Sequence, residues 1–268
     1  MGSTTPHATV TDQPQFASTS LHRRVAIVTG GTGGIGSAVV LHLASLGANV
    51  VIAYIGDHKV ADDLVSKITN SSYPRAIAVE TDVSDPAQVK NLFDQAESTF
   101  SKIHILITTA AVCDYSYPSL ADTSVEVFDW TFSVNCKGTF ICCREAANRL
   151  VKGGGGRIIT FSSSTVGSLR PGYSAYTASK AAVETMTKVL ARELKGTMIT
   201  ANSIAPGATM TPMFYSGKSE EVVEMILGES PMLRLGAPED IAPMVGFLAS
   251  DAGEWVNAQV IRVNGGYI

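Results

Sequence analysis

The sequence predicts an α/β fold, a single doubly wound domain with a seven-stranded parallel sheet and helices on both faces. Three observations predict it. Short β-branched runs alternate with helical patterns from Arg23 onward, the signature of successive βαβ units. Each run is apolar on both faces, as strands covered by helices on either side must be. The 268 residues are 45% hydrophobic, enough to bury one large core.

Residues 1–22 are rich in Ser, Thr, Pro and Gln and bury too little surface to offset their ordering entropy, so they read as a disordered tail ahead of a domain over 23–268. The first strand is 25–28, and a glycine-rich turn separates it from a helix over 35–46. Strands follow at 49–53 and 75–79, then a helix over 87–100 and a strand at 103–107. A long helical pattern over 125–152 leads to a strand at 157–161, and a second over 174–194 leads to a strand at 200–204. Residues 210–233 stand apart, mixing Pro, Met, Phe, Tyr and Gly, and are the candidate substrate lid. A helix over 238–248 and a strand at 259–263 complete the pattern. Two right-handed halves of this kind make a Rossmann domain.

The charge balance, 20 basic against 24 acidic residues, provides no field for nucleic acid or anionic lipid and favours a small-molecule partner. Cys113, Cys136, Cys142 and Cys143 lack metal-ligand spacing, so no metal is expected and the thiols should be reduced. Every apolar run is interrupted before the roughly 18 to 20 residues that span a bilayer, so no membrane association is expected. The expected location is the cytoplasm. A plastid is the alternative, if the Ser/Thr-rich start followed by Arg23-Arg24 is the remnant of a transit peptide.

Directly after the first strand comes Thr29-Gly30-Gly31-Thr32-Gly33-Gly34-Ile35-Gly36, followed by a helix. Glycines there let backbone approach a pyrophosphate, and the helix N-terminus offers unpaired N–H groups. A merely flexible Gly-rich loop would not need a strand before and a helix after. The residue ending the second strand, Tyr54, is not the acidic residue that would bind an adenosine ribose 2′-OH and repel a 2′-phosphate. This favours NADPH (NADP+) over NAD(H). The glycine loop contains no cation for the phosphate, which leaves Lys59, His58 or Arg24 as substitutes. Asp82 and Val83, after the third strand, are placed to hold the adenine, although an Asp there also caps helices.

Tyr176 and Lys180 are four residues apart at the start of a helix, on one face. A nearby ammonium favours phenolate over phenol, so Lys180 is expected to lower the Tyr176 pKa and make it a general acid/base. The strand at 157–161 ends in Ser162-Ser163-Ser164, at the sheet edge that carries ligand chemistry. A hydroxyl there is placed for a substrate carbonyl, and serines after a strand also cap turns.

Together these residues resemble the short-chain dehydrogenase/reductase family over 23–268. Its features appear in family order: the Thr-Gly-x-x-x-Gly-x-Gly loop, Asp82, Asn135, the serines 162–164, Tyr176 with Lys180, Pro206-Gly207 and Gly265-Gly266. The resemblance extends to plant members described as NADPH-dependent aldehyde reductases, which share the run 153–157, Leu169-Arg170-Pro171-Gly172 and the stretch 260–267. The resemblance implies that Tyr176 exchanges a proton with the substrate oxygen while nicotinamide exchanges hydride, with Lys180 on the nicotinamide ribose. It implies that Asn135 holds a helix kink and a water feeding protons through Lys180. Pro206, Gly207 and Thr211 would meet the nicotinamide end. Thirteen residues back from Tyr176 is Ser163, whereas the family's Ser-x-x-Gly pattern selects Ser164; both remain candidates, with Ser164 preferred.

The chain departs from the family where Asn-Asn-Ala-Gly becomes Thr108-Thr109-Ala110-Ala111, beside the cofactor ribose, and where Thr209 replaces an apolar β-branched residue. A hydroxyl can take over part of the lost amide's hydrogen bonding. The substrate surface is expected to be aromatic and apolar, drawn from Cys113, Tyr115, Tyr117, Tyr173, Met210, Met213, Phe214 and Tyr215, with few charges. A bulky or aromatic aldehyde or ketone, or the corresponding alcohol, suits it. The helices opening at Val125 and Ser174 are apolar around much of their circumference, which predicts a homodimer or homotetramer. An NAD-dependent alcohol dehydrogenase and a non-redox dinucleotide-binding scaffold are the competing readings.

Overall fold

The computed structural model describes residues 17–70 and 74–268; most of the expected disordered tail, residues 1–16, lies outside the described residues. Seven parallel strands form one sheet in the order β3-β2-β1-β4-β5-β6-β7. They are β1 Val25–Thr29, β2 Asn49–Tyr54, β3 Ala76–Glu80, β4 Ile105–Thr108, β5 Arg157–Phe161, β6 Thr200–Pro206 and β7 Val260–Val263. The strand order reverses between β1 and β4, which opens a crevice at their C-terminal ends. Thr29 pairs with both Ala53 and Thr108, so these ends lie level.

The four central strands β1, β4, β5 and β6 are buried at every position; β1 and β4 are near-continuous apolar runs, while β5 and β6 also bury Arg157, Thr160, Thr200, Asn202 and Ser203. On one face, Val39, Val40 and Leu43 of α1 (Gly34–Ser45) pack with Ile241, Val245 and Leu248 of α10 (Pro238–Ala249). On the other, Leu92 and Phe93 of α3 (Pro86–Phe100) join Ile141 of α5 (Thr139–Arg149) and Ala191 of α7 (Ser174–Glu193). No helix among the described residues is long and apolar enough to cross a membrane.

The structure differs from the expectation in four places. Packing reaches back past the expected boundary at 23: Leu21 is fully buried and its N–H donates to Leu46 O at 2.8 Å. Helix α2 (His58–Thr69) was not among the expected helices; it buries only Ala61, Leu64 and Ile68 and starts on Asp57, whose side chain accepts from Lys59 N. The pattern over 125–152 is not one α-helix. It runs as α4 (Val125–Phe132), a π-helical turn (Ser133–Gly138) and α5, because an extra residue is accommodated around Asn135. The lid 210–233 contains two helices, α8 (Pro212–Tyr215) and α9 (Glu220–Glu229), and α6 (Thr165–Ser168) follows β5.

Candidate functional site

A cavity of about 850 Å³ fills the crevice, running from the glycine turn after β1 to the lid. At the turn, Gly30 has φ +62, and a Cβ there would stand 2.8 Å from the Ala110 backbone. A Cβ on Gly36 would meet Gly30 O at 2.1 Å, so the loop closes on itself only with glycine at that position. Helix α1 starts at Gly33 with no side-chain cap, which leaves first-turn N–H groups without a side-chain acceptor. A dinucleotide's diphosphate fits this cradle: no side chain blocks the loop, and the helix end carries a partial positive charge. Thr32, Gly34 and Ile35 line the same wall.

The replaced segment after β4 retains a tie between the central strands. Thr109 Oγ1 donates to Thr29 O at 2.5 Å, and Ala110 N donates to Thr29 Oγ1 at 3.4 Å. Thr109, Ala110 and Ala111 all line the cavity. At its far end lie Tyr54, Asp82 and Val83. Asp82 lines the cavity, and its Oδ1 accepts from Ser84 N and Oγ, each at 2.8 Å; it is not the helix cap, since α3 starts on Asp85, whose Oδ1 accepts from Ala87 N. Arg24 is not available to a 2′-phosphate. It precedes β1, at the opposite end of the sheet, where it binds Ala249 O and Asp251. His58 and Lys59 do lie on the correct side, opening α2. The carboxylate of Asp57 is spent on capping that helix.

Pro206 ends β6, and Gly207 N donates to Val263 O at 3.0 Å, which holds the chain against β7 as it turns into the lid. Thr209 Oγ1 then donates back to Gly207 O at 3.0 Å. Thr211 caps α8 through Phe214 N, and its Cγ2 lies where a Gly34 Cβ would be, 2.6 Å away. Thr211, near the start of the lid, is thus pressed on the glycine loop. All four of these residues line the cavity.

Tyr176 lies in the first turn of α7 with Lys180 one turn on; the ammonium is 5.7 Å from the Tyr176 ring centroid. Lys180 is 2% exposed and donates to Phe161 O at 2.8 Å. Burial pulls its pKa down to about 8. Burial also pushes the Tyr176 phenol above its ordinary value, opposed by a hydrogen bond with Ser163. The expected lowering of Tyr176 by Lys180 is therefore overturned within the protein's own surroundings, because the loss of water around the phenol outweighs the ammonium beside it.

Ser163 and Ser164 both line the cavity and differ in their hydrogen bonds. Ser164 is buried, donates to Ala205 O at 3.2 Å and accepts from Asn264 Nδ2 at 3.1 Å. Ser163 Oγ accepts from Thr165 N and Oγ1, and its hydroxyl favours ionisation of the Tyr176 phenol. Asn135 stands behind the cavity wall, fully buried in the π-helical turn. Its Oδ1 accepts from Val112 N at 2.8 Å, while Nδ2 donates to Val112 O at 2.9 Å and Ser179 Oγ at 3.1 Å. The amide therefore binds the chain after β4 and the catalytic-side helix; both its N–H groups have acceptors.

Of the expected substrate residues, Cys113, Tyr117, Tyr173, Met213 and Phe214 line the cavity. Burial pushes the Cys113 thiol up to about 11, so it is a neutral wall group. Tyr115, Met210 and Tyr215 do not line it and are exposed. The Tyr115 backbone is turned against Gly217, Met210 N is held by Gly236 O, and Tyr215 lies edge-on to Phe214. The expectation of few charges also fails, since Arg170, Lys218 and Arg234 reach the wall. Arg170 pairs with Glu229 and Arg234 with Asp240. Lys218 donates to Tyr117 Oη and to Phe214 O, with its ammonium 4.4 Å from the Tyr117 ring centroid and 4.9 Å from that of Phe214. A single lysine among the aromatics of 210–233 was the available signal for it. Asn264 and Tyr267, also at the wall, carried no local signal.

A family model described as enoyl-(acyl carrier protein) reductase matches residues 30–268. The chain is 56% identical over 254 residues to an NADPH-dependent aldehyde reductase-like protein, chloroplastic, of Arabidopsis thaliana, covering 91% of this chain and 94% of that one. It is 53% identical to NADPH-dependent aldehyde reductase 2, chloroplastic, of the same plant, over 91% and 93% of the two chains. A crystal structure of a short chain dehydrogenase from Burkholderia cenocepacia in complex with NADP superposes with a TM-score of 0.84 at 31% identity, over 92% and 98% of the two chains.

Proposed function

The chain belongs to the short-chain dehydrogenase/reductase family of oxidoreductases, and from that premise we propose that it reduces an aldehyde or ketone with NADPH. The observation that carries the reading is one grouping, Tyr176 and Ser163 at the same cavity wall with buried Lys180 beside the phenol. A phenol kept protonated by burial suits reduction, where Tyr176 gives its proton to the carbonyl oxygen as charge develops there. Ser163 donates a hydrogen bond to the same oxygen. Lys180 supplies positive charge under both groups and sits where a nicotinamide ribose would lie. Asn135 holds α7 and the segment after β4 in register through Ser179 and Val112. NADPH, when bound, supplies the hydride.

The phosphorylated cofactor is supported by Tyr54 in place of a carboxylate, by the engagement of Asp57 elsewhere, and by relatives named for NADPH or solved with NADP. Pro206, Gly207 and Thr211 would hold its nicotinamide end and Thr32 to Gly36 its diphosphate. The substrate reading is a bulky or aromatic carbonyl compound, facing Tyr117, Tyr173, Met213 and Phe214. Purified protein should oxidise NADPH faster than NADH, followed at 340 nm, against a panel of aliphatic and aromatic aldehydes and ketones. Tight NADPH binding without turnover of any carbonyl would refute the reading.

Self-association belongs to the same proposal. Val125, Phe128 and Trp130 of α4, Phe140 of α5 and Val189 of α7 are exposed large apolar side chains, a surface suited to a second copy. Light scattering should give a dimer or tetramer mass. Two relatives are chloroplastic by name, so a plastid location stands beside the cytoplasmic one, and a fluorescent fusion of the full chain separates them.

A further inference from the structure

Ser163 has an acceptor inventory that limits what its hydroxyl can do. A serine hydroxyl carries one proton to donate and two lone pairs to accept. Thr165 N donates to Ser163 Oγ at 3.2 Å, and Thr165 Oγ1 donates to the same oxygen at 3.0 Å. Both acceptor directions are thereby taken by one residue. Ser163 and Tyr176 line the same cavity wall.

We infer that Thr165 is a positioning residue, whose hydroxyl and main-chain N–H fill the lone pairs of Ser163 Oγ and so fix that hydroxyl as a donor. The consequence concerns Tyr176. A phenol has a single proton, and a serine with a vacant lone pair would accept it, leaving nothing for the carbonyl oxygen. With Thr165 in place, Ser163 cannot accept from Tyr176. Ser163 donates instead, to the phenol oxygen or to the substrate, and the Tyr176 proton is directed to the carbonyl. This inference rests on the carbonyl-reductase reading above.

The main-chain bond from Thr165 N survives a change of its side chain, so the hydroxyl can be tested alone. Thr165→Val keeps the shape and removes the donor, and Thr165→Ser restores it. Thr165→Val should lower kcat about tenfold, the effect of one hydrogen bond, with KM for NADPH and for the carbonyl within about twofold. It should also move the alkaline limb of the kcat profile to higher pH, because a serine free to accept stabilises the protonated phenol. Thr165→Ser should return both to the parent values. The titratable groups facing Tyr176 are Cys113 and Tyr115 from the segment after β4, and Tyr173 and Lys180 around α7; neither variant alters them. An active parent whose Thr165→Val variant keeps its kcat and pH profile overturns the inference, as does equal damage from Val and Ser. A parent that turns over no carbonyl at all refutes the reductase reading instead.

Discussion

Thr109→Val tests whether the altered segment after β4 is held by a single hydroxyl. Thr109 Oγ1 lies 2.5 Å from Thr29 O and 2.9 Å from the position a Gly36 Cβ would take, so the hydroxyl is enclosed by backbone. Thr29 O also accepts from Thr109 N at 3.2 Å and is not orphaned by the change. The lost bond therefore costs about 1 kcal/mol, without a desolvation penalty for the carbonyl. A methyl group needs about 3.3 Å from that oxygen, so it must retreat by roughly 0.8 Å. Such overpacking costs about 1–3 kcal/mol. The sum, on the order of 3 kcal/mol, corresponds to about 6–12 °C in Tm for a chain of this size. The retreat pushes Ala110 against Gly30, whose Cα already faces its backbone closely. NADPH affinity should therefore fall about fivefold to tenfold, with kcat little changed. Thr109→Ser keeps the donor and should stay within about 1 kcal/mol of the parent. Differential scanning calorimetry and fluorescence titration with NADPH measure both quantities. A Thr109→Val protein with the parent's Tm and cofactor affinity would refute the reasoning.

Tyr176→Phe should reduce carbonyl turnover at least about a hundredfold while NADPH affinity stays within about threefold, as steady-state kinetics and titration will determine. Ser163→Ala should lower kcat by about 10²-fold with little change in stability. Ser164→Ala should do the reverse, losing about 1–2 kcal/mol in urea denaturation through its bonds to Ala205 and Asn264. Lys180 has a folded-state pKa of about 8 against an ordinary 10.5, so between those pH values the unfolded chain holds a proton the folded chain has released. Its contribution to stability consequently rises with pH through that window, and Lys180→Met should flatten the rise in urea midpoints between about pH 7.5 and 10.

The sheet was readable because β1 and β4, buried on both faces, are written as near-continuous apolar runs. Helix α2 was harder, since only three of its twelve residues are buried. The π-helical turn leaves no trace in periodicity; it is specified by Asn135 reaching Val112, a contact across 23 residues. The cofactor wall was legible because glycine spacing reports backbone closeness directly. Ser163 and Ser164 were not separable by counting, because the distinction lies in what each faces: Ser164 meets Ala205 and Asn264, 41 and 100 residues away. The pKa of Tyr176 failed for a related reason. Helical spacing reports a charged neighbour but not how much water the fold removes.

The buried anchor at Leu21 has a practical consequence. It ties the start of the described chain to Leu46, beneath the N-terminal end of β1, while the cavity opens at the C-terminal ends of the strands. Strand β1 has five residues, which puts about 17 Å of sheet between the two. An affinity tag, a surface tether or a cleavable address signal joined ahead of residue 17 therefore leaves from the rear of the molecule. Immobilised through residue 17, the protein would present its mouth to solution.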